Sequence, residues 1–379
     1  MANKGLYIVF HEFAAYSGIT KKIAAQVTAF EKCGMKMELC YHDYDNDQNS
    51  IIKVKDKDIA NFGKGFASKL SKRFSYTAIY NYIANNHIDF IYLRSYNNAN
   101  PFLVDFVARL KKDKRICVLE IPTYPYDDEF KEARKSDRLK LYLDKLYRNS
   151  LASKLAYIIT YTDLPSIFGQ KTICISNGVD FDEIPMKKKY RDDFESVVHL
   201  LIVAELHYWH GVDRAINGMA NYYNTKPRTK VILHIVGKPY TPAGLKLQEQ
   251  VKNLKLEEFV LFHGPLWGEA LDEIFELADI GIGSLGRHRS NIDKIKTLKN
   301  REYAARGIPF VYSETDEDFD KMPYVLKVPA DESALNISDV LNFRQHIHLS
   351  PSLIRNSIIA TLSWQVQMKK IIDQCFLDT

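Results

Sequence analysis

The sequence has 379 residues, of which 46% are hydrophobic and 26% are charged, and its formal net charge is +5. This length exceeds the size at which one hydrophobic core usually keeps growing, so we expect two domains. The five cysteines are widely spaced and form no Cys-x-x-Cys pair, which argues against a disulfide framework or a zinc site and fits the reducing cytoplasm. The first residues lack the pattern of a signal peptide, and no apolar run approaches the roughly 18 residues that a membrane-spanning helix needs.

Short β-rich runs alternate with helical stretches through the first half of the chain, which predicts an α/β fold with a parallel sheet and crossover helices. The predicted strands are Leu6–Phe10, Lys36–Tyr41, Asp89–Leu93, Arg115–Glu120 and Ala156–Thr160, with a sixth near Thr172–Ile175. The predicted helices cover residues 19–32, 100–112 and 130–152. Gly18 lies in the loop before the first helix, where a glycine lets the backbone approach a phosphate but is also common in ordinary turns.

Residues 131–154 form a basic segment with eight Lys or Arg and three acidic residues. A helix there would place Leu139, Tyr142, Leu143 and Leu146 on one side, with most cations elsewhere. A basic amphipathic helix of this kind can lie on anionic lipid. The alternative is an ordinary surface helix whose apolar stripe packs into the core.

Polar and aromatic residues follow two predicted strands of the first half, at the sheet edge where ligands gather in doubly wound folds. Arg94 follows one strand, and Glu120 ends the next, with Tyr124 and Tyr126 close behind. Carboxylates accept hydrogen bonds from sugar hydroxyls, and flat rings stack on sugar rings. Glu120 is therefore a catalytic candidate, and Arg94, Tyr124 and Tyr126 are candidates for the acceptor side. The alternative is a loop that its two prolines make rigid.

The alternation of strands and helices restarts in the second half. The predicted strands are His199–Ala204, Lys230–Val236, Phe259–Phe262, Ile280–Ser284, Pro309–Tyr312 and Val325–Val328. The charged stretch 184–193 contains a proline and lacks apolar periodicity, so it suits an exposed connector. We therefore expect an N-terminal domain over residues 1–180 and a C-terminal domain over residues 195–350.

The segment 297–311 ends a polar loop and opens a helix with one carboxylate in its first turns. A helix N-terminus offers unpaired N–H groups and a partial positive charge to phosphate oxygens, so Leu298, Lys299 and Arg301 are candidates for binding a diphosphate. Glu302, one turn inside the helix, can accept hydrogen bonds from both hydroxyls of a ribose. The segment therefore predicts a nucleotide site.

The pattern Leu298-Lys-x-x-Glu-Tyr-x-Ala-x-Gly-x-Pro309 resembles the donor-site helix of GT-B glycosyltransferases, especially the retaining, nucleotide-sugar-dependent family 4 and its bacterial polysaccharide-assembling relatives. In the same resemblance, the ends of three earlier strands of the second half also face the donor. They add His210, Gly237, Lys238 and His263 as donor-binding candidates. The resemblance covers nearly the whole chain. It implies two Rossmann-like doubly wound domains with a cleft between them, and a C-terminal helix within residues 351–379 that crosses back to the first domain.

Two departures from the family 4 pattern affect the charge of the donor site. The family usually has Gly-Arg after the first strand of the second domain and Lys-Gly at the start of the following helix. This chain has Ala204-Glu205 and His210-Gly211 at those places. The charge that balances the diphosphate then comes from elsewhere in the chain or from a protonated His210.

A third departure concerns the reacting sugar. The family places a Glu eight residues before the ribose-binding Glu, where this chain has Lys294. Arg287, His288 or Lys294 would then face the sugar or the phosphates, and Arg287 and Lys294 are our catalytic candidates. The alternative is that all three are solvated loop cations. By the resemblance, the anomeric configuration of the sugar is retained.

The order of these motifs predicts a glycosyltransferase that moves a sugar from a nucleotide diphosphate to a glycan or a polyprenyl-diphosphate-linked acceptor in bacterial surface-polysaccharide assembly. We expect no metal cofactor, because the Asp-x-Asp strings at 43–45, 56–58 and 316–318 do not fall at the expected phosphate position and suit solvated loop acids. We expect a cytoplasmic protein, peripheral on the inner face of the membrane if the basic segment contacts lipid.

Two alternatives stay open, a nucleotide-sugar epimerase of GT-B shape and a non-catalytic sugar or nucleic-acid binder. The chain lacks a basic motif interleaved with aromatic residues, so we expect no nucleic-acid partner.

Overall fold

The computed structural model describes residues 3–10, 18–65, 68, 71, 75–96, 99–127, 135–190 and 196–376. The chain divides into a first unit, formed by Met1–Ile175 and Trp364–Thr379, and a second unit, formed by Ser176–Ser363. The tail that the sequence suggests as one crossing segment contains two helices. Pro351–Leu362 belongs to the second unit, and Trp364–Phe376 returns to the first.

The first unit is built on one sheet. Its strands are β1 (Lys4–Ile8), β2 (Lys36–Tyr44), β3 (Ser50–Val54), β4 (Lys57–Asn61), β5 (Phe90–Arg94), β6 (Ile116–Ile121), β7 (Tyr157–Thr160), β8 (Ser166–Ile167) and β9 (Gln170–Cys174). Within the described residues they run in the order β4-β3-β2-β1-β5-β6-β7-β9-β8. Neighbours from β2 across to β9 are parallel, and β3, β4 and β8 pair antiparallel at the two edges.

The β3–β4 hairpin corrects part of the sequence analysis, which interprets the charged stretch 56–58 as a solvated loop. Asp58 lies in β4 and is the register partner of Lys53 in β3. Asp43 lies in β2, where it forms a 3.0 Å ion pair with Lys53. The charged residues of an exposed edge strand hide the alternation from which a strand is predicted.

The helices of the first unit cover the sheet and include Gly18–Lys32, Thr77–Asn85, Pro101–Lys112, Lys135–Ala152 and Trp364–Phe376. The last of them brings Trp364, Met368 and Ile371 into one buried cluster with Ile23 and Phe30. Full burial of such a side chain contributes about 1.5–3 kcal/mol. The C-terminal helix is therefore part of the core of the first unit.

The second unit has a fully parallel sheet. Its strands are β10 (Val197–Val203), β11 (Lys230–Val236), β12 (Val260–Gly264), β13 (Ile280–Ile282), β14 (Phe310–Tyr312) and β15 (Val325–Lys327). They run in the order β12-β11-β10-β13-β14-β15 in the described part of this unit. The strand order reverses between β10 and β13, and in doubly wound sheets a crevice opens there, outside the carboxyl ends of the strands. This arrangement confirms the predicted α/β fold class.

The α-helices of the second unit are Val212–Asn224, Pro242–Asn253, Glu269–Leu277, Leu298–Arg306, Ile337–Gln345 and Pro351–Leu362, with short 3-10 helices at Tyr208–His210 and Arg287–Ser290. Two of them begin with a proline whose missing N–H would have no partner in the first turn. Their N-cap residues, Thr241 and Ser350, accept hydrogen bonds from Gly244 N and Leu353 N. These caps explain why both helices begin where they do.

An apolar stripe faces solvent on the helix Lys135–Ala152. Leu139, Tyr142 and Leu146 are 61%, 60% and 56% exposed, and their spacing places them on one side of the helix. The interpretation of a stripe packed in the core is therefore wrong for these three residues, and the leucines of this helix that are buried are Leu141 and Leu151. None of the helices in the described part of the chain combines the length and the apolar character that a membrane crossing needs.

Candidate functional site

Five polar side chains meet at the carboxyl ends of β10, β13 and β14, where the strand order reverses. His210 follows β10, Ser284 and Arg287 follow β13, Glu314 follows β14, and Lys299 lies in the first turn of a helix. His210 Nδ1 lies 3.2 Å from Ser284 Oγ and 3.1 Å from Lys299 Nζ. The charges of Arg287 and Glu314 act on Lys299. We call these five residues the Lys299 cluster.

The helix Leu298–Arg306 is held tightly against the sheet. Tyr303 Oη donates a hydrogen bond of 3.0 Å to Leu201 O. A Cβ at Gly281 would overlap the Tyr303 ring, so only glycine lets the helix approach β13 this closely. At the N-cap, Thr297 Oγ1 is buried and makes no hydrogen bond within the described part of the chain. Because Thr297 does not cap the helix, its first N–H groups can face an anion.

The positive charge of the cluster resides on Lys299 and Arg287. Burial, followed by the charges of Lys299 and Arg287, holds the pKa of His210 well below its usual range. His210 is therefore neutral at pH 7 when no anion is bound, and a protonated His210 beside a bound diphosphate stays a prediction. Burial and the Arg287 charge also lower the pKa of Lys299, to about 7. An anion bound beside Lys299 would raise that pKa again and favour the charged form.

Glu314 is a member of the cluster that the sequence analysis does not name. Its side chain is 2% exposed, and burial raises its pKa to about 7 against the opposing effects of its own backbone N–H, Lys299 and Arg287. The signal for it in the sequence is its place two residues after the apolar strand Phe310–Tyr312. At a doubly wound switch point, such a residue faces the ligand crevice.

Arg301 has a different place from the one expected. It is 1% exposed and forms ion pairs with Asp316 and Asp318, and its Nη2 lies 2.9 Å from Ser176 Oγ. Asp316 is fully buried, so the interpretation of residues 316–318 as solvated loop acids is wrong for this residue. The ion pairs of Arg301 connect the loop after β14 to the helix Leu298–Arg306. Arg301 is therefore occupied, and Lys299 is the cation of this helix that can bind a phosphate.

Glu302 lies on the partly exposed side of the same helix, with its side chain 29% exposed. One of its carboxylate oxygens accepts hydrogen bonds of 3.1 Å from both Nε and Nη2 of Arg306. Arg306 also forms a 2.7 Å ion pair with Asp272. Within the described residues, the second carboxylate oxygen of Glu302 accepts no hydrogen bond. A ligand hydroxyl could therefore bind this oxygen without breaking the contact with Arg306.

Comparison with known proteins places this arrangement in a known fold. No family model matches the chain, and no curated protein matches it either. Solved structures match over nearly the whole length. The sucrose-phosphate synthase of Thermosynechococcus elongatus is 15% identical, with 100% of both chains covered and a TM-score of 0.71. A glycosyltransferase from Rickettsia africae ESF-5 is 12% identical, with 99% of this chain and 98% of that chain covered and a TM-score of 0.63. Anabaena HepE, solved in complex with UDP, is 14% identical, with 98% and 99% covered and a TM-score of 0.59.

The chain has the GT-B fold. This confirms the resemblance at the level of the fold, since identities of 15% and below establish architecture alone. Membership of family 4 stays a prediction.

Other residues suggested as donor contacts lie on neighbouring strand ends of this GT-B chain. A Cβ at Gly237 would overlap the carbonyl oxygen of Ala204, so the glycine is required for close backbone packing. Lys238, next to it, is exposed. Lys294 is exposed too, and forms a 3.1 Å ion pair with Glu317.

His263 belongs to a row of three stacked histidines on β10, β11 and β12. Its Nε2 lies 2.8 Å from His234 Nδ1, and His234 Nε2 lies 2.8 Å from His199 Nδ1. Burial lowers the pKa of His234 to about 3, and it also lowers the pKa of His263. The contact with His234 occupies Nε2 of His263.

In the first unit, Glu120 is the centre of a buried network. Its carboxylate accepts hydrogen bonds from Lys22 at 3.2 Å and Tyr92 at 2.6 Å, and it forms an ion pair with Arg94. Burial raises the pKa of Glu120, but Lys22 and Arg94 outweigh it and hold the pKa well below its usual range. These contacts favour a structural role for Glu120 and Arg94 over direct contact with a sugar.

The aromatic residues near Glu120 are also largely internal. Tyr126 Oη donates a 2.6 Å hydrogen bond to the buried Asp144. Tyr124 is partly buried and packs edge-on against Tyr126. Gly18 is the first residue of its helix, and none of the described residues would contact a Cβ there. The preceding loop lies outside the described residues.

Proposed function

We propose that this protein is a glycosyltransferase that moves a sugar from a nucleoside diphosphate to a glycan or lipid-linked acceptor. The observation that carries the proposal is the Lys299 cluster, which brings two cations and an uncapped helix N-terminus to the switch point of the sheet. Such a place suits a diphosphate, because helix N–H groups and cations balance its charge together. HepE, which shares the fold, has been solved with UDP and with UDP and glucose.

In this proposal the cluster acts on the leaving group. As the bond to the sugar breaks, negative charge grows on the diphosphate, and Lys299, Arg287 and the helix N-terminus stabilise it. Glu302 holds the ribose hydroxyls and fixes the nucleotide on the helix. By the resemblance to family 4, the sugar configuration is retained, with Arg287 or Lys294 close to the reacting sugar.

A screen of nucleotide sugars by thermal stabilisation tests the proposal. A donor at 100 times its dissociation constant should raise the free energy of unfolding by about 2.7 kcal/mol. The donor found in this way should then release its nucleoside diphosphate faster when a glycan acceptor is added. Stabilisation by none of the nucleotide sugars would contradict the proposal. Interconversion of free nucleotide sugars without an acceptor would favour an epimerase instead.

We predict that donor turnover needs no divalent ion, because Lys299 and Arg287 already supply positive charge where the phosphates would lie. Asp316 and Asp318 are occupied by Arg301. The initial rate with a donor and acceptor should stay within about twofold after EDTA treatment, a change of less than 0.5 kcal/mol in the barrier. Activity that EDTA abolishes and magnesium or manganese restores would overturn this prediction.

The acceptor side of the proposal involves a membrane surface, since an acceptor on a lipid has to be met at the bilayer. The exposed Leu139, Tyr142 and Leu146 supply an apolar face for the interface. Lys145 and Arg148 form ion pairs with Asp127. Lys140 forms a 2.7 Å ion pair with Asp137. The remaining cations of the segment are Lys131, Arg134, Lys135, Arg138 and Lys154, of which residues 131 and 134 lie outside the described part of the chain.

We therefore predict binding to vesicles that contain anionic lipid, and weaker binding as salt is raised, with about 1 kcal/mol from each cation near the surface. Binding should drop when Leu139, Tyr142 and Leu146 become Ser, and when Lys131, Arg134, Lys135 and Arg138 become Gln. A control with Leu245→Ser and Leu353→Ser removes exposed apolar side chains of the second unit and should bind as the parent does. Co-sedimentation measures all four proteins, and equal binding by all of them would mean that the acceptor is reached in solution.

A further inference from the structure

The Glu314 carboxylate is buried among charges without being fully paired. Its Oε1 lies 3.5 Å from Asn300 Nδ2, and its Oε2 is buried and has no hydrogen-bond partner within the described residues. Two cations attract it, Lys299 and Arg287, and Asp316 repels it. A buried carboxylate oxygen without a partner is costly, so the arrangement needs a reason beyond packing.

Further titratable groups face the same place from the loop after β10. His210 contacts Lys299 and is neutral, and His207 adds a small charge effect on His210. The charge balance of the site therefore depends on Lys299, Arg287 and Glu314. Without a ligand, Glu314 supplies the negative charge that faces the two cations.

A bound diphosphate changes this balance, because it is drawn to the same two cations. Its charge would then lie close to the Glu314 carboxylate in a poorly solvated place. Two anions that share a buried site cannot both stay ionised without a large cost, and the weaker acid takes up a proton.

We propose that Glu314 is the built-in counter-anion of Lys299 and Arg287, and that a nucleoside diphosphate replaces it in that role while its carboxylate takes up one proton from solvent. Glu314 is then a positioning residue: it acts through Lys299 and makes the affinity for the nucleotide depend on pH. This inference rests on the proposed function. The raised pKa of Glu314 agrees with this inference, because only a modest further rise would protonate its carboxylate at neutral pH.

Titration calorimetry with UDP, ADP, GDP and CDP at about pH 8 tests the inference, in buffers that differ in ionisation enthalpy. The terminal phosphate of a free nucleotide ionises near pH 6, so the ligand itself contributes few protons at pH 8. Lys299, whose pKa is also about 7, regains its proton when the diphosphate binds, so binding to the parent should take up more than one proton per nucleotide. E314Q should take up about one proton fewer than the parent and bind about tenfold more tightly at pH 8, the effect of one pH unit above the Glu314 pKa of about 7.

The matched control is Glu317→Gln, which removes the same charge from an exposed, Lys294-paired residue of the same loop. It should keep the proton count and the affinity of the parent. Zero uptake or proton release by the parent overturns the inference, even if E314Q fails to fold, and so does an undiminished uptake in E314Q. Absence of binding by all four nucleotides contradicts the proposed function as well, which separates the two failures.

Discussion

Replacing Lys299 with Met should lower kcat/KM for the nucleotide sugar by roughly 10²–10³-fold, the loss expected when one preorganised group that stabilises growing negative charge is removed. Methionine keeps most of the length of the side chain and removes the charge. The helix N-terminus and Arg287 would remain, so activity should be reduced and not abolished. Steady-state kinetics with the donor found by the thermal screen measures the effect.

The control for this prediction is Lys252→Met, which removes an exposed cation from the end of the helix Pro242–Asn253. Its kcat/KM should match that of the parent. If Lys299→Met retains kcat/KM within threefold while remaining folded, the cluster does not act on the leaving diphosphate.

Replacing Glu302 with Ala should weaken binding of the donor nucleotide by about 1.5–3 kcal/mol, the range for hydrogen bonds to a charged group. The reason is the loss of the acceptor for both ribose hydroxyls. Arg306 keeps its ion pair with Asp272 in the variant, so the helix should stay in place. Calorimetry measures the affinity, and Glu257→Ala, at an exposed residue of the same unit, serves as the control.

A nucleotide without ribose hydroxyls sharpens this test. The dideoxy form of the ligand should bind the parent and Glu302→Ala with similar affinity, because the interaction under test is absent from both complexes. Equal affinity of the parent and the variant for the ordinary ribonucleotide would exclude Glu302 from ribose binding.

The fold could be predicted from the sequence because buried parallel strands are short apolar runs separated by helices. The run His199–Ala204 corresponds to β10 at Val197–Val203, and Asp89–Leu93 to β5 at Phe90–Arg94. Three strands of the described residues escaped prediction, and all lie at or beside a sheet edge. In β3 and β4 charged residues interrupt the pattern, and β8 has only two residues. The sequence pattern does not predict which strands are neighbours, because strand pairing depends on contacts between segments that are distant in the sequence.

The site was predictable only in part, because the sequence shows which polar residues follow strands but not which of them pair with each other. Lys299 reached the expected place at a helix N-terminus. Arg301, two residues later, points to the other side of the helix and is paired with Asp316 and Asp318. Glu314 was missed because a lone acid after a three-residue strand resembles any loop acid until its burial is known.

The return of the chain to the first unit has a consequence for biosynthesis. The second unit is one continuous stretch, Ser176–Ser363, whereas the first unit is completed by the helix Trp364–Phe376. A ribosome therefore finishes the whole of the second unit before it makes the residues that complete the core of the first. Until then the nascent first unit keeps an apolar surface around Ile23 and Phe30 without its final cover. Surfaces of this kind favour aggregation, so we expect this protein to be vulnerable for as long as its second unit is being translated.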